Sequence, residues 1–302
     1  AQFFGVGIAK TAEDFGAQGE LPKHPELIDW LAVEFIESGW DVKHLVRLIA
    51  TSATYRQNSE VTPEKWELDP ENRLVARGAR ARLPAMLLRD QALAVSGLLQ
   101  EAIGGHPVYP NQPTGLWKDF SFGKIIYPHQ EAEEQLHRRS LYTFWRRTSS
   151  PPNMFDSSSR LVCTVKPSTT NTPLHALTML NDETYVEASR ALARRMGKEG
   201  GANVDEQLDF AFQLATGRAP DLREHQILRN GYERSLNEFR SFEEDAAAYA
   251  AVDVEGAEVL ELAALKHSVQ LHKGRRVYEV AVAKALPLAH AQQLHQRALE
   301  VI

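Results

Sequence analysis

The side chains of this sequence that could do chemistry are concentrated between positions 138 and 182. This stretch combines five arginines, several aromatic residues, two polar turns and the only cysteine of the chain. Polar groups are costly to keep beside large aromatic rings unless they have a role there, so such a segment is more typical of a site than of a plain core. We therefore take residues 138–182 as the predicted functional segment.

Two groups of arginines in the sequence are suited to binding an anion. One spans positions 73–89 and contains no lysine, and the other brackets the aromatic run LYTFW. The planar guanidinium group grips sulfate, phosphate or carboxylate, although it also serves in ordinary ion pairs. If the two groups meet in space, they predict a site for a sulfated or uronic-acid glycan; otherwise they are ion pairs with Asp and Glu. The predicted substrate contacts are Arg82, Arg138, Arg139, Tyr142, Trp145, Arg146, Arg147 and Asn171.

Asp156 is the predicted general acid, because it lies in the polar loop NMFDSSSR, where exposure at a cleft is expected. Glycoside hydrolysis needs two carboxylates a few ångströms apart. Asp90, Asp119 and Asp182 are the other carboxylates that we consider. For Asp90, which follows Arg89 within a predicted helix, an ion pair or a cap is the default interpretation.

Cys163 has two interpretations. It is a candidate nucleophile if Arg160 or Lys166 favours the thiolate and His129, His137 or His175 acts as base. The more common role of a single cysteine is that of a small buried hydrophobe, here within a strand LVCTV, and we favour it.

The composition excludes several classes of protein. A single cysteine permits no intrachain disulfide, no CxxC zinc motif and no CxxCH haem attachment, and the eleven histidines show no HExxH or HxH spacing. We predict no metal and no cofactor in this chain. The formal net charge of −6 argues against a nucleic-acid binder. The sequence has no run of about 18 apolar residues for a membrane span, and no signal peptide. The abrupt start AQFFG predicts a fragment that is truncated at its N-terminus.

Apolar spacing and punctuation by Pro and Gly predict a mainly α-helical protein. Leu27, Trp30, Leu31 and Phe35 give the first predicted helix (residues 25–38) an apolar face that should build the core. Asp41 should cap a second helix, and a third should run from Pro84 to about Gln100. Five more helices are predicted after the central segment. One starts at Pro173, and the next runs from Glu183 to about Met196 with Asp182 as its cap. Two follow at 204–216 and 221–240, and the last lies in the Ala-rich tail.

The segment between these two sets of helices is irregular. It carries many prolines and aromatic residues, which predicts short strands or extended segments from about 107–165, laid across the helices. We expect a single helical domain over residues 1–241 and a helical tail over 242–302, atypical after about 265.

Three long motifs together resemble one family. They begin GELPKHPELIDWLAVEFIESGW, DPENRLVARGARARLPAM and RRSLYTFWRRT, the last ending in TNTPLHALTMLND. The resemblance, over roughly residues 1–240, is to the planctomycete-type, cytochrome-associated family known as domain of unknown function 1553. Position 175 is His where that family usually has Gln.

The resemblance implies a C-terminal domain of a large exported protein, periplasmic or extracellular. Its expected partners are a companion domain and a cytochrome c domain of the same polypeptide, so haem c would be carried outside this chain. Its genomic setting implies polysaccharide utilisation. The leading hypothesis is therefore a glycan-facing module that aids polysaccharide breakdown, and the alternative is a non-catalytic helical scaffold that docks the companion domain. Whether it is an enzyme stays open.

Overall fold

The computed structural model describes residues 1–112, 133–144, 151, 153–157, 162–165, 170–241 and 263–265. Over these residues the chain is mainly α-helical, as predicted, and β-structure is limited to two isolated bridges. Contacts divide the chain into two compact units: unit 1 comprises Ala1–Pro84 with 158–169, and unit 2 comprises Ala85–Ser157 with 170–302. The boundary after Pro84 was not predicted, because no run of Pro, Gly or Ser marks a linker there.

Unit 1 contains three described helices, α1 (Pro25–Glu37), α2 (Val42–Thr51) and α3 (Pro63–Leu68). Two of them begin with proline, which has the backbone angle of a first helical position and no N–H to leave unpaired. Asp41 caps α2, as predicted, by accepting hydrogen bonds from the backbone N–H groups of Lys43 and His44. The bond from His44 is the main reason why the pKa of Asp41 lies below its usual value.

The prediction that the apolar face of α1 helps to build the core is wrong. No residue of α1 is buried, and Trp30 and Ile36 keep 50% and 55% of their surface exposed. Within unit 1, α1 packs against α2, which has no buried residue either. Of the predicted face, Leu31 and Phe35 are half-buried, whereas Leu27 and Trp30 stay exposed.

Unit 2 contains the longer helices. They are α4 (Ala85–Ser96), α5 (Glu133–Leu136), α6 (Pro173–Asn181), α7 (Glu183–Glu199), α8 (Val204–Thr216) and α9 (Leu222–Ser241), with a 3-10 turn at Ser140–Tyr142 and helical residues at Ala263–Leu265. The starts of α6 and α7 agree with the sequence prediction, but α4 ends at Ser96, before the predicted Gln100. The reason is Gly97, which takes a left-handed backbone conformation that stops the helix.

The core of unit 2 has two apolar clusters. The larger joins α7, α8 and α9 around the buried residues Met196, Phe212 and Tyr232, and the helical residues Ala263–Leu265 pack into it. The smaller joins α4, α6 and α7 through Ala92, Met179, Tyr185 and Ala188. None of the described helices is long and apolar enough to cross a lipid bilayer.

A histidine on α9 ties that helix to α8. Nδ1 of His225 lies 2.6 Å from Oδ1 of Asp209, and its Nε2 lies 3.3 Å from Oδ1 of Asp205. The hydrogen bond to Asp209, followed by the negative charges of both carboxylates, raises the pKa of His225 above its usual value. Arg229 adds a second cation, 3.0 Å from Asp205. The charged form of His225 is therefore the one that joins the two helices.

This contact predicts a pH-dependent contribution to stability. A pKa that is higher in the folded chain means that the folded state binds the proton more tightly, so the contribution is complete below the unfolded pKa of about 6.5. It is lost as the pH rises through the raised pKa of the folded state. We expect His225→Gln to lower the free energy of unfolding more at about pH 5.5 than at about pH 8.5, measured by urea denaturation followed by circular dichroism.

His106→Gln is the matched control, because His106 is exposed in the same unit. It should leave the pH profile of the wild-type protein unchanged. A loss of stability in His225→Gln that is equal at both pH values would show that the charge of His225 does not hold α9 against α8.

Candidate functional site

The predicted functional segment begins with a pair of extended chains in unit 2. The backbone N–H of Val108 donates to the carbonyl oxygen of Tyr142 at 2.8 Å, and the N–H of Phe144 donates back to Val108 at 2.8 Å. A second bridge joins Gln100 to Arg138. Residues 100–108 and 137–144 are therefore joined at two isolated bridges, with the 3-10 turn Ser140–Tyr142 between them.

A buried arginine of α4 braces this pair. The side chain of Arg89 has no exposed surface, and its guanidinium donates to the carbonyl oxygens of Arg138 at 2.9 Å and Leu136 at 2.6 Å. It also lies 3.3 Å from the hydroxyl oxygen of Ser140. A guanidinium carries five N–H donors in a fixed plane, so one side chain can bind several backbone carbonyl oxygens at once.

The neighbouring Asp90 holds the same turn from the other side. Its Oδ1 accepts a hydrogen bond from the backbone N–H of Ser140 at 2.7 Å, and its Oδ2 lies 3.5 Å from Nε of Arg139. The default interpretation of Asp90, an ion pair or cap, is confirmed. Arg139, a predicted substrate contact, has an exposed side chain that reaches this carboxylate.

Arg138, another predicted substrate contact, is buried and cross-links a loop. Its guanidinium donates to the carbonyl oxygens of Ala102, Gly104 and His106, and it lies 4.0 Å above the ring of Tyr142. The phenol oxygen of Tyr142 accepts a hydrogen bond from the N–H of Gly104 at 2.9 Å. Both side chains thus bind backbone groups of the protein itself. Their contact with a glycan stays a prediction.

The other predicted anion-binding residues are more scattered. Arg82 belongs to unit 1, where its side chain is half-buried. In the same unit, Arg73 pairs with Glu20 at 2.9 Å and Arg77 donates to backbone carbonyl oxygens. Trp145, Arg146 and Arg147 lie outside the described residues. The predicted convergence of the two arginine groups on one hollow therefore stays a prediction.

Asp156 lies beside the start of α6. Its carboxylate accepts hydrogen bonds from the backbone N–H and the hydroxyl of Thr170, both at 2.6 Å, and its backbone is left-handed with φ of 59°. Nε2 of His175 lies 3.8 Å from its Oδ1. The ring of His175 stacks on Phe155, with 4.0 Å between ring centroids. The arrangement is a carboxylate beside a buried imidazole, a pair that can hold or move a proton.

Asn171, the last predicted contact, is exposed just before α6. At the other end of α6, Asp182 caps α7, as predicted, by accepting from the N–H of Thr184 at 3.1 Å. The side-chain amide of Asn153 donates to the same carboxylate at 3.3 Å. Burial raises the pKa of Asp182 above its usual value, and this effect exceeds the opposing hydrogen bonds. Sequence reasoning missed Asn153, which carries no signal beyond its place in a polar turn.

Cys163 is exposed, which corrects the favoured interpretation of a small buried hydrophobe. The described residues around it, 162–165, form no strand. The apolar run LVCTV resembles a buried strand, but Val162 and Val165 are exposed as well. Over the described part of the chain, no group of three or more His, Cys, Asp or Glu side chains is arranged to hold a metal ion.

Comparison with known proteins gives one match. The model of the family described as PSD1, a protein of unknown function (DUF1553), matches residues 1–232. No curated protein and no solved structure matches the chain. The description of the matching family assigns it no reaction, so the residues themselves must carry any proposal about function.

Arg89 is the residue on which this region depends most, and Arg89→Met tests it. The methionine fills similar space but removes every donor, leaving buried carbonyl oxygens of residues 136 and 138 without a partner. We expect a loss of about 3 kcal/mol or more in the free energy of unfolding, as for other broken buried charge contacts, measured by equilibrium urea denaturation.

Arg194→Met is the matched control, since Arg194 is exposed on α7. Its effect should be within about 0.5 kcal/mol of zero, as is usual for surface substitutions. A similarly small effect of Arg89→Met would mean that the guanidinium does not brace residues 136–140.

Proposed function

We propose a function for this chain, which belongs to the PSD1 family of proteins of unknown function, DUF1553. The function that the described residues support best is that of a helical docking domain, whose unit 1 binds a companion domain of the same polypeptide through an apolar face. This was the alternative hypothesis of the sequence analysis. The observation that carries it is the exposure of the apolar side chains of α1.

The apolar face of unit 1 is defined here as the exposed large apolar side chains of α1, of α2 and of the turn between them. They are Leu27, Trp30, Val33, Ile36, Trp40, Val42 and Val46, and they extend around about half of α1. Monomeric proteins rarely leave so many large apolar side chains together in water, and such patches usually mark protein-protein contacts. Tryptophan is also enriched among the residues that contribute most to binding free energy.

The roles of the arginines support the same proposal. A glycan-binding patch needs guanidinium groups that face solvent, but Arg89 and Arg138 are buried and donate to backbone carbonyl oxygens. Arg139 is exposed but lies beside Asp90. Among the described residues of the predicted segment, the cations thus stabilise the fold, which leaves the apolar face of unit 1 as the better supported surface.

The docking proposal predicts that substitutions on α1 weaken binding to the companion domain. We expect the double substitution Trp30→Ser and Ile36→Ser to reduce affinity about 30-fold or more, because truncating an interface anchor costs about 2 kcal/mol or more. Titration calorimetry between this chain and the separately expressed companion domain measures the change.

Asp29→Ser with Glu37→Ser is the matched control on the same helix, since both side chains are exposed and polar. It should change the affinity less than about threefold. Absence of binding by the wild-type chain, or equal losses in both double variants, would reject docking through α1.

A second function, glycan handling, is favoured by one specific observation. Asp156 lies beside His175 and is fixed by Thr170, so a carboxylate and an imidazole occur together where the sequence predicted a general acid. In this proposal Asp156 donates the proton, and Arg82, Arg146 and Arg147 hold the anionic groups of a polysaccharide. The family resemblance adds an exported location, periplasmic or extracellular, and a neighbouring cytochrome c domain.

The glycan proposal predicts salt-sensitive binding of sulfated oligosaccharides. Charges exposed to solvent are screened, so the affinity should fall as the ionic strength rises. Arg146→Ala should weaken the binding, measured by titration calorimetry, whereas the exposed Arg194 on α7 supplies Arg194→Ala as the control without effect. Equal and negligible binding of all sulfated and neutral glycans would remove this second proposal.

A further inference from the structure

The exposed sides of α1 and α2 in unit 1 carry opposite charges. On α1 the exposed charged side chains are Glu26, Asp29 and Glu37, and the helix contains no lysine or arginine. On α2 they are Lys43 and Arg47, and the helix contains no acidic residue. Because α1 and α2 pack against each other, unit 1 presents a negative helix next to a positive one.

None of these five side chains forms an ion pair with another residue in the part of the chain that the structure describes. The ion pair described between the two helices joins His44 to Glu34 at 2.7 Å, and both of these residues are half-buried. Lys43 and Arg47 lie four positions apart on α2, a spacing at which like charges repel each other. Each helix would therefore gain from opposite charges that another molecule supplies.

Exposed apolar side chains lie between these charges on both helices. On α1, Trp30 comes four positions after Glu26, so the two side chains are neighbours on the helix surface. On α2, Val46 comes three positions after Lys43 and is exposed like it. A partner that covers either helix therefore meets apolar groups together with charges of one sign.

A second copy of the chain offers a surface that complements both helices at once. When two copies meet about a two-fold axis, α1 of one copy lies against α2 of the other, and the reverse contact forms at the same time. Each acidic helix then faces a basic one, and the apolar side chains between the charges are buried as in a bundle of four helices. A partner with charges of a single sign would match only one of the two helices.

We propose that the chain forms a dimer through α1 and α2 of unit 1, with a second copy as the partner. The inference rests on the docking function proposed above, in that both use the apolar face of unit 1. Self-association and docking then compete for the same side chains. The dimer must dissociate before the companion domain can bind, so dimer formation regulates access to the face.

Reversing the charges of one helix at a time tests the dimer. Variant A carries Asp29→Lys with Glu37→Lys on α1, and variant B carries Lys43→Glu with Arg47→Glu on α2. We expect the wild-type chain to pass from monomer to dimer between about 1 and 200 μM, as for a modest interface, measured by sedimentation velocity. Each variant alone should dimerise at least about tenfold more weakly, because like charges then face each other at both contacts.

An equimolar mixture of the two variants is the decisive measurement. The new lysines of variant A then face the new glutamates of variant B, and the unchanged helices meet with their original opposite charges. The mixture should form a heterodimer about as tightly as the wild-type chain forms its homodimer. Two reversals change the formal net charge of −6 by four, to −2 in variant A and −10 in variant B. General attraction between the variants would therefore not bring them together.

Glu13→Lys with Glu101→Lys is the matched control, because it changes the net charge as variant A does, at exposed positions outside α1 and α2. It should dimerise like the wild-type chain. A wild-type chain that stays monomeric over this range, or variants that gain nothing from mixing, would overturn the dimer. Binding of the companion domain by such a monomer would leave the docking proposal standing. Dimers that do not bind the companion domain would reject docking alone, and the absence of both associations would reject both proposals.

Discussion

The charge of Arg89, taken fully out of water, is the constraint on which the described part of unit 2 depends. Removing a guanidinium from water is expensive unless its donors are paired. Here backbone carbonyl oxygens of residues 136 and 138 supply the pairing, with Ser140 beside them. Asp90 on the same helix accepts a hydrogen bond from the N–H of Ser140, so the same turn is held by a donor, Arg89, and by an acceptor. A helix, α4, is thereby bound to a segment without regular structure.

Residues 136–140 connect Arg89 to the loop of residues 102–106. Once residues 136–140 are fixed, the side chain of Arg138 is aimed at residues 102–106, whose carbonyl oxygens it holds. Its cation also lies over the ring of Tyr142, a favourable contact for a guanidinium. Two arginines thus hold segments of backbone that two isolated bridges alone would join. The same chemistry that suits arginine for anions suits it for carbonyl oxygens, and a sequence alone does not separate these uses.

Local signals were therefore predictable and distant ones were not. The caps at Asp41 and Asp182 and the helix start at Pro173 depend on residues within a few positions of each other, and the structure confirms them. The partners of Arg89 lie 47 to 51 residues away, a distance over which spacing carries no information. The spacing of apolar residues predicted the apolar face of α1, but it could not predict which residues, if any, bury that face. The prediction that Cys163 is buried was wrong for the same reason, since Val162 and Val165 beside it are exposed.

The two proposed functions place different demands on the protein, and they concern different units. Docking through α1 needs apolar side chains that are already in water, because their burial supplies the free energy of association. Glycan handling through Asp156 needs a carboxylate and an imidazole that lie close together, because the charge of one changes the affinity of the other for a proton. Exposed Trp30 in unit 1 fits the first demand, and Asp156, 3.8 Å from Nε2 of His175 in unit 2, fits the second. The two proposals therefore depend on different residues and can be tested independently.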